Sequence, residues 1–529
     1  MSSLQRNLPA IANQHFDVVI IGGGITGAGV ARHAARLGLS VALFEANDFS
    51  AGTSSRSTKL IHGGLRYLAM GDFALVRESA LERKNLQRMA PHLTQPLWMT
   101  IPARSRAEML KIRAGVSTYE KLGAVAAADR HRNWNVAALS EEEPLLNSAE
   151  FPFACAYREY LTDDARLVMA NLRSACEHGA QICNYVAVRE LRQSTDSVAV
   201  VLSDELLDER FALTASVVVN ATGPWVEQDF QSQPAIPRRH RLHLSKGVHI
   251  GVPRERLPVR NMVMLTAADD RPVFAIPRGA VTYIGTTDTT ISGEPNHWPS
   301  VTAVDVEYLL EPMARYFRVD PLSTEDVVSS WAGLRALINQ PGKAPREMSR
   351  KEEIWCDGRV VSIAGGKLTG FRKMAEQVLQ EVGRLLGCAW QLDDPLERLP
   401  GGERADVLVL EDEVARRYGL TALVARRLTR LYGSEVFSVL GEQPEVVSDA
   451  VFAEEIHWAV HRESAQKLED VVYRRLRIPW FRPAETQVVS VAAARLLRQS
   501  LQWSEAQERS EIDALERRLQ ADLAFKNQP

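Results

Sequence analysis

What this chain lacks narrows its class before any motif is read. It has only five cysteines in 529 residues, Cys155, Cys176, Cys183, Cys356 and Cys388. They are scattered without CxxC spacing, which excludes a disulfide framework or a zinc ribbon and reads as packing residues in a reduced compartment. No run of about 20 apolar residues is present to span a membrane. The N-terminal MSSLQRNLPAIANQHF has no basic segment followed by an apolar one, as a secretory signal would. The expectation is a protein that is cytoplasmic or attached to a membrane from the cytoplasmic side. An excess of one charge is missing too: the formal net charge is -3, so no global basic field invites nucleic acid. Internal repeats and low-complexity tracts are absent.

What is present is a globular composition, 45% hydrophobic and 24% charged, in a chain longer than one core requires. About two or three domains are expected. The informative stretch is FDVVIIGGGITGAGVARHAARLGLSVALFEANDFSAGTSSRSTKLIHGGLRYL, residues 16–68. Phe16 to Ile21 is nearly all apolar, as a strand buried on both faces requires. Gly22, Gly24 and Gly27 then match G-x-G-x-x-G at the opening of a helix that runs to Gly38, and LSVALFEA supplies a second strand ending near Glu45. In a βαβ unit these glycines permit a tight turn, close approach of backbone to a pyrophosphate, and close packing of helix on strand. The helix N-terminus offers free N–H groups to the anion. Glu45 stands about 20 residues on, where a carboxylate accepts from ribose hydroxyls and disfavours a 2′-phosphate. FAD and NAD both remain open at this point.

Two later segments choose FAD. SVVVNATGPWVEQ places a strand before Gly223, like the strand and turn that return to the dinucleotide in glutathione-reductase-type flavoproteins. VVSIAGGKLTGFRKMAEQVLQEV places Gly365 and Gly366 between a strand and a helix, a second helix N-terminus for the cofactor. The middle of the chain reads as an α+β region around an antiparallel sheet, interleaved with returns to the nucleotide domain. A linker rich in Pro, Gly and charge follows at residues 392–406. Beyond it Ile456, Val460, Leu468, Val471, Val472 and Leu476 recur at helical spacing.

The motifs TSSRSTKLIHGGLRYL, LTDDARLVMAN, NATGPWV, SKGVHI, IGTTDT and GGKLTGFRKMAE, in this order, resemble the FAD-dependent, quinone-linked glycerol-3-phosphate dehydrogenases. HRESAQKLEDVVYRRLRI resembles that family's C-terminal domain. The resemblance implies a fold of three parts: a glutathione-reductase-type FAD-binding Rossmann domain, an antiparallel-sheet substrate domain and a C-terminal all-helical domain. The expected boundaries are 14–400 for the oxidoreductase region and 401–529 for the helical domain. Within the first, FAD-binding segments at about 14–100, 155–230 and 345–390 alternate with substrate-binding segments at about 101–154 and 231–344.

The implied reaction is oxidation of sn-glycerol 3-phosphate to dihydroxyacetone phosphate, by hydride transfer from C2 to flavin N5, with electrons passed to ubiquinone. A phosphorylated substrate needs fixed positive charge, as an Arg fork or a Lys point charge. Arg66, Arg335, Arg350 and Lys367 are the implied ligands, with Arg335 also catalytic. His249 is the candidate base, because imidazole exchanges a proton near neutral pH. The polar loop Thr53, Ser54, Ser55, Lys59, His62 and Gly63 is implied to pass under the flavin. Gly223, Gly366, Leu368 and Thr369 complete the cofactor contacts. His240 and His243 lie near His249, but no Cys, Asp or Glu stands at ligand spacing, so no metal is expected.

Two departures from the family pattern stand out: Arg335-Ala336 replaces Arg-Pro, and Thr369-Gly370-Phe371 replaces Thr-Thr-Tyr, removing a hydroxyl and a phenol expected near the flavin and substrate. Three other readings stay open: an oxidase or dehydrogenase of a related polyol phosphate, an amine- or amino-acid-oxidising flavoenzyme, and a flavin-binding protein that has lost its chemistry. For an anionic membrane surface, YRRLRIPWFR offers Trp480 and Phe481 beside Arg474, Arg475, Arg477 and Arg482. The segment with Arg104, Arg106, Lys111 and Arg113 has fewer bulky apolar residues. A homodimer is compatible with the chain.

Overall fold

The computed structural model describes residues 4, 6–62, 72–227, 242–339, 351–390 and 396–528. Arg66, Arg350, Gly63 and His240 lie outside them. The apolar run near the N-terminus forms the strand His15–Ile21, with Val18, Val19 and Ile20 wholly buried. It pairs in parallel with Val41–Glu45 on one side and Glu209–Asn220 on the other. The full sheet runs Glu353–Asp357, Val360–Ala364, Glu209–Asn220, His15–Ile21, Val41–Glu45, Gln181–Asn184, with an antiparallel extension through Val198–Asp204 and Val186–Gln193. Helices Ile25–Arg36, Asp164–Glu177 and Phe371–Leu386 supply buried apolar faces to the same core as this sheet. This is a Rossmann-type layer arrangement, with the strand ends and helix N-termini aimed at one edge.

The second sheet is almost wholly antiparallel. Its long central strands are Leu242–Pro253 and Ser329–Ile338, paired so that His249 faces Trp331 and Ser245 faces Arg335. Its one parallel pairing joins Met262–Thr266 to Gln95–Ala103. After residue 396 the described chain has no strands, and its principal helices are Val407–Tyr418, Ala422–Tyr432, Ala453–His461, Thr486–Leu501 and Glu505–Asp522. The helical residues expected from spacing, Ile456, Val460, Leu468, Val471, Val472 and Leu476, join one core with Tyr283 and Trp331 of the antiparallel sheet. The helical domain is thus packed onto the antiparallel sheet rather than tethered beside it.

Two expectations fail here. YRRLRIPWFR is no membrane-facing segment: Trp480 is 1% exposed, and Arg474, Arg475 and Arg477 are equally hidden. The arginines are held by carboxylates distant in sequence. Arg475 makes a two-pronged contact with Asp48 at 2.7 and 2.8 Å, and Arg474 reaches the same carboxylate at 2.6 Å. Arg477 donates to Asp164 at 2.8 Å. Arg166 and Arg173, on the helix Asp164–Glu177, pair in turn with Glu463 and Glu435 at 2.6 and 2.5 Å. The cysteines are only partly packing residues. Cys155 and Cys183 are buried, but Cys356 and Cys388 are exposed, and all five are unbridged.

A buried guanidinium that loses its carboxylate is left uncompensated, at a cost of about 3–5 kcal/mol. Asp48→Ala is therefore expected to lower the thermal denaturation midpoint and to speed protease cleavage within residues 396–528. A midpoint equal to wild type contradicts the role given to this pair.

Candidate active site

The turn after the first strand is built for a close ligand. Gly22 has φ +108°, and a Cβ there would stand 2.7 Å from the Ala221 carbonyl oxygen. Only glycine combines that conformation with that proximity. Gly24 caps the helix Ile25–Arg36 with no side chain of its own; the Ser54 hydroxyl accepts from the Ile25 amide at 2.9 Å. Glu45 ends the second strand, with its carboxylate accepting from Gly23 N–H at 2.7 Å and Asn47 N–H at 2.9 Å. Burial pushes the Glu45 carboxyl above its ordinary range, against those backbone donors.

A cavity of about 900 Å³ opens from this turn and runs to the antiparallel sheet. Its wall includes Gly22, Gly24, Glu45, Thr53, Ser54, His62, Gly223, Gly366, Leu368 and Thr369 at the nucleotide side. His249, Arg335 and Lys367 stand on the same wall. Lys367 is delivered by two successive left-handed residues, Gly365 and Gly366, with φ +77° and +80°, directly after the strand Val360–Ala364. Thr53 is fixed by donating to the Leu334 carbonyl at 2.6 Å. Gly27 lies behind the wall, packed against the Gly22 carbonyl.

Arg335 is about one-quarter exposed and preoriented. It donates to Thr286 Oγ1 at 2.9 Å and to the Thr287 carbonyl at 3.1 Å, and Asp288 stands 3.4 Å away. His249 is 1% exposed. It stacks on Trp331 with ring centroids 5.1 Å apart, its Nε2 lies 2.9 Å from Thr58 Oγ1, and its Nδ1 has no hydrogen-bond partner among the described residues. Burial, then the charges of Lys59 and Arg335, hold the imidazole pKa well below its ordinary value. These surroundings favour the neutral ring.

Ser55 and Lys59 are not on the cavity wall. Both are buried, because the loop turns its 55 and 59 positions toward the helical domain. Lys59 Nζ donates to the Ser55 carbonyl at 2.8 Å and meets Asp164 at 3.2 Å. Burial pulls its pKa down to about 7, the Asp164 charge opposing. Of the two departures from the family pattern, Ala336 lines the cavity, whereas Gly370 and Phe371 do not. Phe371 is wholly buried against Gly29 of the first helix, so the missing phenol is a packing change and not a loss at the site.

The cavity also gathers residues that motif reading passed over: Thr58, Tyr157, Glu159, Asp269, Asp270, Arg271, Asp288 and His297. Thr286 to Asp288 lie inside IGTTDT, which could have flagged them. His297, stacked on Trp225 at 4.0 Å between centroids, sits in a loop with no sequence signal. No cluster of three His, Cys, Asp or Glu capable of holding a metal occurs among the described residues.

Comparison with known proteins settles the class. The family described as FAD dependent oxidoreductase matches residues 17–366, and the C-terminal domain of alpha-glycerophosphate oxidase matches 397–508. An aerobic glycerol-3-phosphate dehydrogenase of Staphylococcus aureus is 35% identical, over 98% of this chain and 97% of its own. The chain belongs to the FAD-dependent glycerol-3-phosphate dehydrogenase family. The crystal structure of a member from Bacillus halodurans, complexed with FAD, superposes with TM-score 0.78 at 32% identity, covering 97% of this chain and 96% of that one. An L-alpha-glycerophosphate oxidase from Mycoplasma pneumoniae, at TM-score 0.54 and 17% identity, shares the fold.

FAD is the cofactor, and the residues present fit it. The Gly22 turn leaves no space for a side chain, and helix Ile25–Arg36 opens beside it. Glu45 closes one end of a cavity large enough for a dinucleotide. Filling the turn tests this directly. Gly22→Val is expected to purify without flavin absorbance while retaining a folded far-UV circular dichroism spectrum. A yellow, stoichiometrically loaded variant contradicts the assignment of the cradle.

Proposed function

We propose that this flavoprotein oxidises sn-glycerol 3-phosphate at C2 to dihydroxyacetone phosphate and delivers the electrons to a quinone. The observation that carries this reading is the convergence of Arg335, Lys367 and His249 on the wall of the cavity that contains the nucleotide cradle. The activities for which the relatives are named point the same way. Bound FAD supplies a two-electron acceptor for the C2 hydrogen. Everything else is asked of the chain. Gly22, Gly24 and the helix N-terminus take the pyrophosphate, and Glu45 takes the ribose hydroxyls. Thr53, Ser54, His62, Gly223, Gly366, Leu368 and Thr369 surround the remainder.

Arg335 offers the phosphate a preoriented fork, and Lys367 a point charge. Arg66 and Arg350, outside the described residues, complete the proposed set. Two cations suit a phosphate dianion, where an amino-acid carboxylate needs one, and this favours the phosphate ester over an amino acid. His249 is the base for the C2 hydroxyl. The Arg335 charge that depresses its pKa is offset when a phosphate dianion docks, so the imidazole becomes a better proton acceptor once substrate is bound. For the membrane surface, the remaining candidate is helix Arg106–Leu122, whose Arg106, Lys111 and Arg113 are exposed together with Leu110. No helix among the described residues is long and apolar enough to cross a membrane.

Steady-state oxidation with a soluble ubiquinone analogue tests the proposal. Arg335→Ala is expected to raise KM for glycerol 3-phosphate about 10- to 100-fold, the worth of a charged hydrogen bond; an unchanged KM removes Arg335 from the phosphate site. The pH profile tests the base. A depressed imidazole pKa keeps the base form present as pH falls, so the acid limb of kcat/KM, which reports the free enzyme, is expected below about 6.5. A limb above 6.5 excludes His249 as the titrating group.

A further inference from the structure

His249 lines the cavity, yet neither of its nitrogens is presented openly to a ligand. Nδ1 is buried without a hydrogen-bond partner among the described residues, and Nε2 lies against Thr58 Oγ1 at 2.9 Å. Both residues line the cavity, Thr58 half-buried and His249 at 1% exposure. The Thr58 hydroxyl is thus a cavity-wall group within hydrogen-bond reach of the imidazole and less buried than it.

The loop holds that hydroxyl rigidly. The Thr58 carbonyl accepts from the Tyr283 hydroxyl at 2.9 Å, and the Ser57 carbonyl accepts from Trp331 Nε1 at 3.3 Å. The Ser57 hydroxyl donates to Asp164 at 2.7 Å and receives the Lys59 amide at 2.9 Å. Lys59 itself is left-handed, with φ +59°, and its carbonyl accepts from Thr162 N–H at 2.8 Å. Backbone groups on both sides of Thr58 are therefore committed. The imidazole is clamped too, flat on Trp331, with Gly285 leaving no room for a side chain beside it. A hydroxyl and an imidazole fixed at this distance are preorganised for proton exchange.

We propose that Thr58 is a catalytic residue that relays the substrate hydroxyl proton to His249. The substrate O–H bond breaks as a new O–H bond forms at Thr58 Oγ1, while the proton already on Oγ1 passes to Nε2. Thr58 ends as the hydroxyl it began as, and His249 ends protonated on both nitrogens. The relay requires the resting imidazole to carry its proton on Nδ1. Lys59 and Arg335, the cations that oppose the charged ring, favour return of that proton to the cavity when product leaves. This inference rests on His249 being the base for a phosphorylated alcohol, and the experiment separates the two claims.

Rapid-mixing anaerobic flavin reduction by sn-glycerol 3-phosphate is measured for wild type, Thr58→Val, Thr58→Ser and His249→Asn, each at full FAD loading. Thr58→Val is expected to slow reduction at saturating substrate about 100-fold or more, the usual contribution of general acid–base catalysis, with half-saturation changed less than about 3-fold. Thr58→Ser, which keeps the hydroxyl, is expected to recover most of the rate. Should Thr58→Val fail to fold, Thr58→Ala with the same two readouts takes its place. Isotope-labelled histidine NMR, assigned by the signal lost in His249→Asn, is expected to show the Nδ1-protonated tautomer. Near-wild-type rates in Thr58→Val with a slow His249→Asn overturn the relay and leave His249 the direct base. An Nε2-protonated resting ring also overturns it. A wild-type enzyme that the substrate does not reduce overturns the underlying reading instead.

Discussion

Arginines buried between the FAD region and the helical domain constrain everything else in this molecule. A guanidinium cannot be taken from water without a carboxylate to meet it, and here the traffic runs in both directions. Arg166 and Arg173 of the FAD region meet Glu463 and Glu435 of the helical domain, while Arg474, Arg475 and Arg477 of the helical domain meet Asp48 and Asp164 of the FAD region. Each partner fixes a piece of cofactor machinery. Asp48 follows Glu45 by three residues, so the pairing that neutralises Arg474 and Arg475 also pins the turn that carries Glu45. Asp164 holds Ser57 and Lys59, and through them the loop that presents Thr53, Ser54 and Thr58.

The helical domain is in this sense part of the active site without touching the cavity. Trp480 packs on Trp331, with centroids 5.2 Å apart, and Trp331 stacks on His249. An apolar column therefore joins the helical domain to the candidate base, and the ion pairs beside it fix its register. Lys59 shows how the two systems share charge: its ammonium lies 4.8 and 5.0 Å from the Trp331 and Trp480 rings while bound to Asp164. The same cation lowers the imidazole pKa next door.

Local patterns in the sequence reported local structure well. An apolar run, three glycines and an acid at the right interval place the first strand, the tight turn and Glu45 where they stand, because a βαβ unit is set within about 30 residues. Convergence of Arg335, His249 and Lys367 was legible only through motif order. What stayed illegible was pairing over long separations. YRRLRIPWFR has the composition of a membrane-facing segment, and carboxylates such as Asp48 and Asp164, more than 300 positions away, turn its charges inward. Lys59 reads as part of a loop under the flavin until Asp164 is placed beside it. Phe371 reads as a lost phenol until Gly29 is seen against its ring. Thr58 lies within the motif TSSRSTKLIHGGLRYL yet does not stand out there, since a threonine hydroxyl gains significance only from the imidazole across from it.

If the cation-lined cavity selects a phosphorylated alcohol as electron donor, the phosphate group decides whether the flavin is reduced. Anaerobic addition of sn-glycerol 3-phosphate to the purified holoenzyme, followed by visible flavin absorbance with glycerol as the paired control, tests it most directly. Rapid bleaching by the phosphate ester and none by glycerol at equal concentration is the expected result. A flavin reduced equally by both, or by neither, contradicts it.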